Sequence, residues 1–215
     1  MEVTFTNSLN YRLFGRIELP KAGEPPFPVV IFAHGFDSSK DSPRGLVIAA
    51  SVREKGLATF LFDFTGHGDS EGTKEESTLN QQLDDLKSAV DFVATVSNLD
   101  KNLIGLTGAS SGALVAANLA LVDKRIKVLV LRAPRTDDLI KVAAKITVPT
   151  KIIQGELDPL LAQTAQFFQA LQCEKELNIV PGGDHLFSQP KQLQQVASLT
   201  ADWFAAHLKR VKKAA

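Results

Sequence analysis

Gly108-Ala109-Ser110-Ser111-Gly112 joins an apolar, strand-like run at 103–107 to a helix-like segment at 113–122. A serine at the apex of so sharp a turn must hold a strained backbone, and side chains two positions before or after it would collide. Glycine at 108 and 112 removes both collisions. The pattern is typical of a nucleophile elbow, which lifts a serine hydroxyl above a sheet. It therefore predicts Ser110 as the nucleophile of a serine hydrolase.

An ordinary glycine- and serine-rich turn is the alternative, because short G-x-S-x-G patterns also arise by chance. The strand before the pentapeptide and the helix after it favour the elbow. A helix that begins near Ser111 presents unpaired backbone N–H groups and the positive end of its dipole. These groups would face the oxygen of a tetrahedral intermediate, so we expect the amide of Ser111 to be one donor of an oxyanion hole.

Strand and helix patterns alternate on both sides of the elbow. Short, mostly apolar runs typical of buried strands occur at 29–33, 58–62, 128–131, 150–154 and 177–180, after a first strand at 11–19. Helical patterns occur at 44–55, 79–93, 113–122, 137–144, 160–171 and 192–211. This repetition predicts one α/β domain over residues 1–215, with a mostly parallel central sheet and helices on both faces. Functional groups in such a sheet lie on loops after the carboxyl ends of strands.

A serine nucleophile needs a base within hydrogen-bond reach, normally a histidine that a carboxylate orients. The chain has 4 histidines. His207 lies inside the last predicted helix, and His34 ends a strand at a turn where we expect the backbone to matter more than the ring. His67 lies in a glycine-rich loop. His185 follows the last strand and precedes the last helix, so it is best placed to act as the base.

Asp158 is the predicted carboxylate, because it follows the penultimate strand and completes the chain order serine, aspartate, histidine. Asp184 is a rival only by its adjacency to His185, and neighbouring side chains generally point apart. Glu156 and Asp138 are weaker rivals. Asp158 precedes a proline and could also cap the next helix, a role that is compatible with catalysis.

The loop after the strand at 29–33 is expected to supply the second oxyanion donor. A flexible glycine there precedes Phe36, whose backbone N–H is the candidate, and a routine turn is the alternative.

Substrate contacts are expected near the same edge of the sheet. Arg132 and Arg135 lie at a strand end, so one of them could receive a carboxylate or phosphate, and we name Arg135 as the candidate. A surface salt bridge with Asp137 or Asp138 is the alternative that we favour. His67 could also line the pocket, although holding its own loop in place is the role that we favour.

Composition excludes several classes of function. Lysine plus arginine total 24 and aspartate plus glutamate total 24, so the chain lacks the basic excess of a nucleic-acid-binding protein.

Cys173 is the only cysteine and cannot form an intramolecular disulfide. No signal-peptide pattern and no apolar run long enough for membrane insertion occur, so we expect a cytoplasmic protein. Basic residues near the end indicate a solvated helix terminus rather than a binding patch: Lys209, Arg210, Lys212 and Lys213.

Five ordered motifs carry a resemblance to a known family: 34–36, 66–72, 108–112, 155–159 and 183–185. Over residues 11–208 they make the chain resemble the α/β-hydrolase superfamily, and within it the small serine esterases and dienelactone-hydrolase-like members. The resemblance implies the α/β-hydrolase fold, with Ser110 as nucleophile, Asp158 as acid and His185 as base, which is the assignment reached above from placement.

Two departures from that family narrow the expected mechanism and the expected form of the pocket. Dienelactone hydrolases proper carry cysteine at the elbow, whereas this chain has Ser110, and Cys173 lies far from the motif. Many relatives insert a helical cap between the strands that end near 133 and begin near 150, where only about one helix fits here. We therefore expect no substantial cap domain and an open pocket.

These observations predict an enzyme that cleaves small-molecule carboxylic esters through an acyl-enzyme intermediate, with no metal or organic cofactor. A thioesterase, a peptidase and an acyltransferase share the same residues and stay open as alternatives. A non-catalytic binding protein of the same fold is the alternative from another class. The physiological substrate and the oligomeric state are left open.

Overall fold

A central sheet positions the loops of the chain. In the computed structural model, which describes residues 1–136 and 138–209, eight strands form this sheet. They are β1 (Glu2–Thr6), β2 (Arg12–Glu18), β3 (Phe27–Ala33), β4 (Ala58–Phe62), β5 (Leu99–Ala109), β6 (Ile126–Arg132), β7 (Thr150–Gly155) and β8 (Lys175–Val180). Their spatial order is β1-β2-β4-β3-β5-β6-β7-β8. The β1–β2 and β2–β4 pairs are antiparallel and the remaining pairs are parallel, which confirms the predicted sheet.

Helices cover both faces of the sheet, as predicted. The α-helices are α1 (Pro43–Glu54), α2 (Leu79–Val93), α3 (Ser111–Val122), α4 (Leu161–Ala170) and α5 (Pro190–His207). Helices α1 and α5 bury residues such as Ile48 and Phe204 on one face. Helices α2, α3 and α4 bury residues such as Leu86, Val115 and Phe167 on the other. The central strands β3, β4 and β6 are mostly apolar because both of their faces are covered, and all of β4 is buried.

The start of α3 differs from the starts of α1 and α2. The hydroxyl of Ser42 accepts a hydrogen bond from the backbone N–H of Gly45 at the start of α1, and Thr78 caps α2 in the same way. The residue at the cap position of α3 is Ser110, and its side chain makes no capping bond. The Ser110 hydroxyl is therefore left for contacts outside its own helix.

Three elements differ from the sequence prediction. Strand β1 was not predicted, because it is an edge strand in which only Phe5 is buried. A 3₁₀ helix, Leu139–Lys145, stands where a helix was expected at 137–144. Helix α5 ends at His207 rather than near residue 211. The basic residues after Lys209 lie outside the described part of the chain.

None of the helices within residues 1–136 and 138–209 combines the length and the apolar character needed to cross a membrane.

Candidate active site

The elbow after β5 has the strained geometry that its glycines suggest. Ser110 has φ 52°, in the left-handed region that L side chains rarely adopt. A Cβ atom on Gly108 would lie 2.3 Å from the carbonyl oxygen of Gly112, and one on Gly112 would lie 2.2 Å from that of Ala33. Both glycines are therefore required where the elbow packs against itself and against the end of β3.

His185 and Asp158 lie beside Ser110 in one hydrogen-bonded chain. The Nε2 atom of His185 is 3.1 Å from the Ser110 Oγ, and its Nδ1 atom is 2.7 Å from Oδ2 of Asp158. Because an ionised carboxylate only accepts hydrogen bonds, Nδ1 carries the proton and Nε2 is free to accept from the serine hydroxyl. The Asp158 side chain is fully buried, whereas 31% of the His185 side chain is exposed. The arrangement can take a proton from serine and hold it on a ring that a buried carboxylate orients.

Asp158 has a second contact that fits its other expected role. Its Oδ1 atom accepts a hydrogen bond from the backbone N–H of Leu160 at 2.9 Å, in the turn before α4. The rival Asp184 accepts from the backbone N–H groups of Leu186 and Ser188 instead of contacting the neighbouring ring. The structure thus brings His185 to Asp158 and not to Asp184.

His34 differs from the expectation that its backbone matters more than its ring, because both ring nitrogens form hydrogen bonds. The Nδ1 atom donates to the carbonyl of Gly35 at 2.8 Å, and Nε2 accepts from the backbone N–H of Phe64 at 3.1 Å. Burial, together with repulsion from His67, lowers the pKa of His34 to about 4. The ring is therefore neutral at ordinary pH, which is the state that these two hydrogen bonds require.

His67 holds two loops together from behind the site. Its Nδ1 atom lies 3.0 Å from the carbonyl oxygen of Thr65, and its Nε2 atom lies 2.7 Å from that of Phe36. Only 3% of His67 is exposed. Phe36 itself is 54% exposed, at the edge of the cavity. His67 thus contacts the backbone of the loop that carries Phe36, and it does not reach the cavity.

A cavity of about 370 Å³ opens beside Ser110 and His185. Apolar side chains of β3, β4 and α1, such as Phe32, Leu61 and Ile48, line it. Between β6 and β7 the described chain forms the 3₁₀ helix and turns, with no large cap, in agreement with the prediction.

Arg132 lines this cavity, whereas Arg135, the candidate named from the sequence, is not among the lining residues. In β6 alternate residues face the same side, and Arg132 follows Val128 and Val130 toward the layer that α1 and α5 cover. The chain turns after β6, where Ala133 has φ 43°, and Arg135 then lies outside the cavity lining. The alternation along β6 was the sequence signal that could have identified Arg132.

Known proteins resemble this chain in sequence and in fold. A family profile described as alpha/beta hydrolase domain matches residues 26–211. A putative phosphoribosyl transferase of Mycobacterium tuberculosis is 34% identical over 90% of the chain. A thiohydrolase of Aspergillus aculeatus is 32% identical over 76% of it. The chain spans 44% and 51% of the lengths of these two relatives. A dienelactone hydrolase from Anabaena variabilis has a similar structure, with a TM-score of 0.84, 28% identity, and 97% of this chain and 98% of that chain covered.

Proposed function

Because the chain belongs to the alpha/beta hydrolase domain family, we propose that it is a serine hydrolase that cleaves carboxylic esters through an acyl-enzyme intermediate. The observation that carries the proposal is the hydrogen-bonded chain from Asp158 through His185 to Ser110, with Ser110 at the apex of a strained turn beside an open cavity. Surface serines do not normally combine these features.

The proposed reaction uses His185 twice. Its Nε2 atom takes the proton of Ser110 as the serine oxygen attacks the ester carbonyl, and it gives that proton to the leaving alcohol as the carbon–oxygen bond breaks. Water then enters, His185 takes one of its protons, and the resulting attack releases the carboxylic acid and returns the proton to Ser110. Asp158 stabilises the imidazolium in both halves.

The oxyanion is proposed to accept hydrogen bonds from the backbone amides of Ser111 and Phe36. Ser111 is the first residue of α3, so its amide is one of those that the helix leaves unpaired. Phe36 follows β3, and its carbonyl is held by His67. Gly112 packs on the backbone of Ala33, which fixes the distance between these two loops. Losing one such donor elsewhere costs about 10²- to 10³-fold in kcat.

A thioester is the second candidate substrate, and it is favoured by the relative named as a thiohydrolase. The same residues would attack either carbonyl.

Hydrolysis of 4-nitrophenyl butyrate and of butyryl-CoA by the purified protein and by Ser110→Ala tests the proposal. We expect the ester to be cleaved by the wild-type protein, faster than the thioester, and not measurably by the variant. Faster cleavage of butyryl-CoA would favour the second candidate. Equal activity of the variant on either compound would contradict both.

A further inference from the structure

A buried arginine lines the cavity beside the nucleophile. Only 7% of Arg132 is exposed. Its Nε atom donates to Oγ1 of Thr107 at 3.2 Å, and its Cζ atom lies 6.0 Å from the centre of the Phe32 ring. Within residues 1–136 and 138–209, no carboxylate pairs with this guanidinium and no hydrogen-bond acceptor contacts its two terminal amino groups. The guanidinium thus keeps donors that the protein does not use.

An unpaired cation is costly to bury, so its presence needs a reason. Burial, reinforced by the positive charge of Arg44, lowers the pKa of Arg132 to about 10, and the side chain stays protonated at neutral pH. Arg44 lies in the exposed first turn of α1 and also lines the cavity. The two arginines therefore make this part of the cavity positive.

The other charged side chains that line the cavity are already neutralised. Lys40 is held by three carboxylates, and Asp37 forms an ion pair with Lys74. In the described part of the chain, Arg132 and Arg44 are the cavity-lining cations that no carboxylate neutralises. The cavity consequently has an excess of positive charge next to Ser110.

We propose that this cavity accepts an ester that carries a carboxylate, and that the terminal amino groups of Arg132 bind this carboxylate; the inference rests on the serine-hydrolase function proposed above. A planar guanidinium can hold both oxygens of a carboxylate. Arg132 is the buried cation of the pair and Arg44 is exposed, so the binding position beside Ser110 offers one desolvated positive charge, which one carboxylate balances. The apolar side chains of Phe32, Ile48 and Leu61 suit the carbon chain that joins the carboxylate to the ester.

Two matched pairs of esters test this inference. In the first pair, the acyl chain ends in a carboxylate in one member and in its methyl ester in the other: 4-nitrophenyl hydrogen adipate and 4-nitrophenyl methyl adipate. In the second pair, the alcohol portion carries the carboxylate or its methyl ester: 3-carboxyphenyl butyrate and its methyl ester. After subtraction of uncatalysed hydrolysis, we expect kcat/KM of the wild-type protein to favour the charged member of at least one pair by about tenfold or more, as for a hydrogen bond to a charged group.

Arg132→Met removes the charge and keeps most of the volume. We expect the charged-to-neutral ratio of kcat/KM to fall by about tenfold or more in this variant. We also expect it to unfold at a higher temperature without ligand, because an unpaired buried charge is gone. Arg53→Met is the matched control, since Arg53 lies on α1, pairs with Glu18 and does not line the cavity. Its ratio should equal that of the wild-type protein.

An equal loss on both members of a pair in Arg132→Met would overturn the inference, because Arg132 would then act on the reacting carbonyl or the fold. A wild-type preference for the neutral member of both pairs would also overturn it, while leaving the proposed function intact if hydrolysis depends on Ser110. Absence of hydrolysis of all four esters, with 4-nitrophenyl butyrate still cleaved in a Ser110-dependent way, would overturn the inference alone, whereas absence of hydrolysis of 4-nitrophenyl butyrate and butyryl-CoA as well would remove both. If Arg132→Met does not fold, competitive inhibition of neutral-ester hydrolysis by adipate but not by dimethyl adipate supports the inference, and equal inhibition by the two contradicts it.

Discussion

The loop after β4, residues 63–70, and the elbow after β5, residues 108–112, both follow parallel strands and both present reactive residue types near one edge of the sheet. In the β4 loop, Asp63 is fully buried and accepts hydrogen bonds from the side chain of Lys40 and the backbone N–H of Asp69. The hydroxyl of Ser70 donates to the Asp63 carbonyl at 2.7 Å and accepts from the backbone N–H of Phe14.

At the elbow the serine is used differently. The hydroxyl of Ser110 contacts the ring of His185, and both residues line the cavity. Serine, histidine and aspartate occur in or beside both loops, so residue type alone does not separate them. What separates them is whether the hydrogen-bonding capacity is satisfied inside the protein or directed toward a cavity. We therefore expect changes at the elbow to affect turnover and changes in the β4 loop to affect stability.

Replacing the serine of each loop by alanine should give the largest contrast. Ser110→Ala removes the proposed nucleophile, and we expect kcat for 4-nitrophenyl butyrate to fall by about 10⁴-fold or more, with an unchanged unfolding temperature. Ser70→Ala leaves a buried carbonyl and N–H without their partner, so we expect a loss of about 1–3 kcal/mol in the free energy of unfolding. Its kcat should stay near the wild-type value. Comparable turnover in the two variants would remove the distinction between the loops.

The two aspartates should differ in the same direction, with a smaller loss of turnover at the elbow side and a larger loss of stability in the β4 loop. Asp158→Asn no longer orients the ring of His185, and we expect kcat to fall by about 10⁴-fold at most. Asp63→Asn weakens the only fully buried carboxylate partner of Lys40 in the described chain, and we expect a loss of about 3–5 kcal/mol in stability. Urea unfolding and ester hydrolysis, measured on both variants, check this. A stable, inactive Asp63→Asn protein would contradict the supporting role of the β4 loop.

The smallest expected effect is the pH dependence of stability that His34 causes. Burial lowers the pKa of His34 from 6.5 to about 4 in the folded protein. The unfolded chain therefore binds more protons at this residue between these values, and the protein should lose stability as pH falls from about 6.5 to about 4. In His34→Gln, where the amide oxygen can still accept from Phe64, this part of the slope should be absent. Urea unfolding across that pH range measures it, and an unaltered slope in the variant would show that His34 is not its source.

Most of the fold followed from the sequence because the central strands β3, β4 and β6 are covered on both faces and are therefore mostly apolar. β1 was not predicted because an edge strand with one buried side chain lacks a continuous apolar run. The sequence also suggested which residues could meet at the elbow, because strand ends of a parallel sheet share an edge.

The sequence did not reveal the partners of side chains that meet through folding alone. His34 was expected to matter through its backbone, and nothing local to it identifies Phe64, 30 positions along the chain, as its hydrogen-bond donor. The choice between Arg132 and Arg135 depended on where β6 ends and on the turn at Ala133. The partner of His34 is a tertiary property that no short pattern gives, whereas the alternation of side chains along β6 carried a sequence signal for Arg132.

Covalent labelling with a fluorophosphonate probe tests most directly whether Ser110 is an activated nucleophile. The probe reacts with serines that a neighbouring base deprotonates, and peptide mass mapping identifies the modified residue. We predict that the intact wild-type protein is labelled on Ser110, that Ser70 is unmodified, and that Ser110→Ala is not labelled. Absence of labelling in the wild-type protein, or equal labelling of Ser110→Ala, would contradict the account.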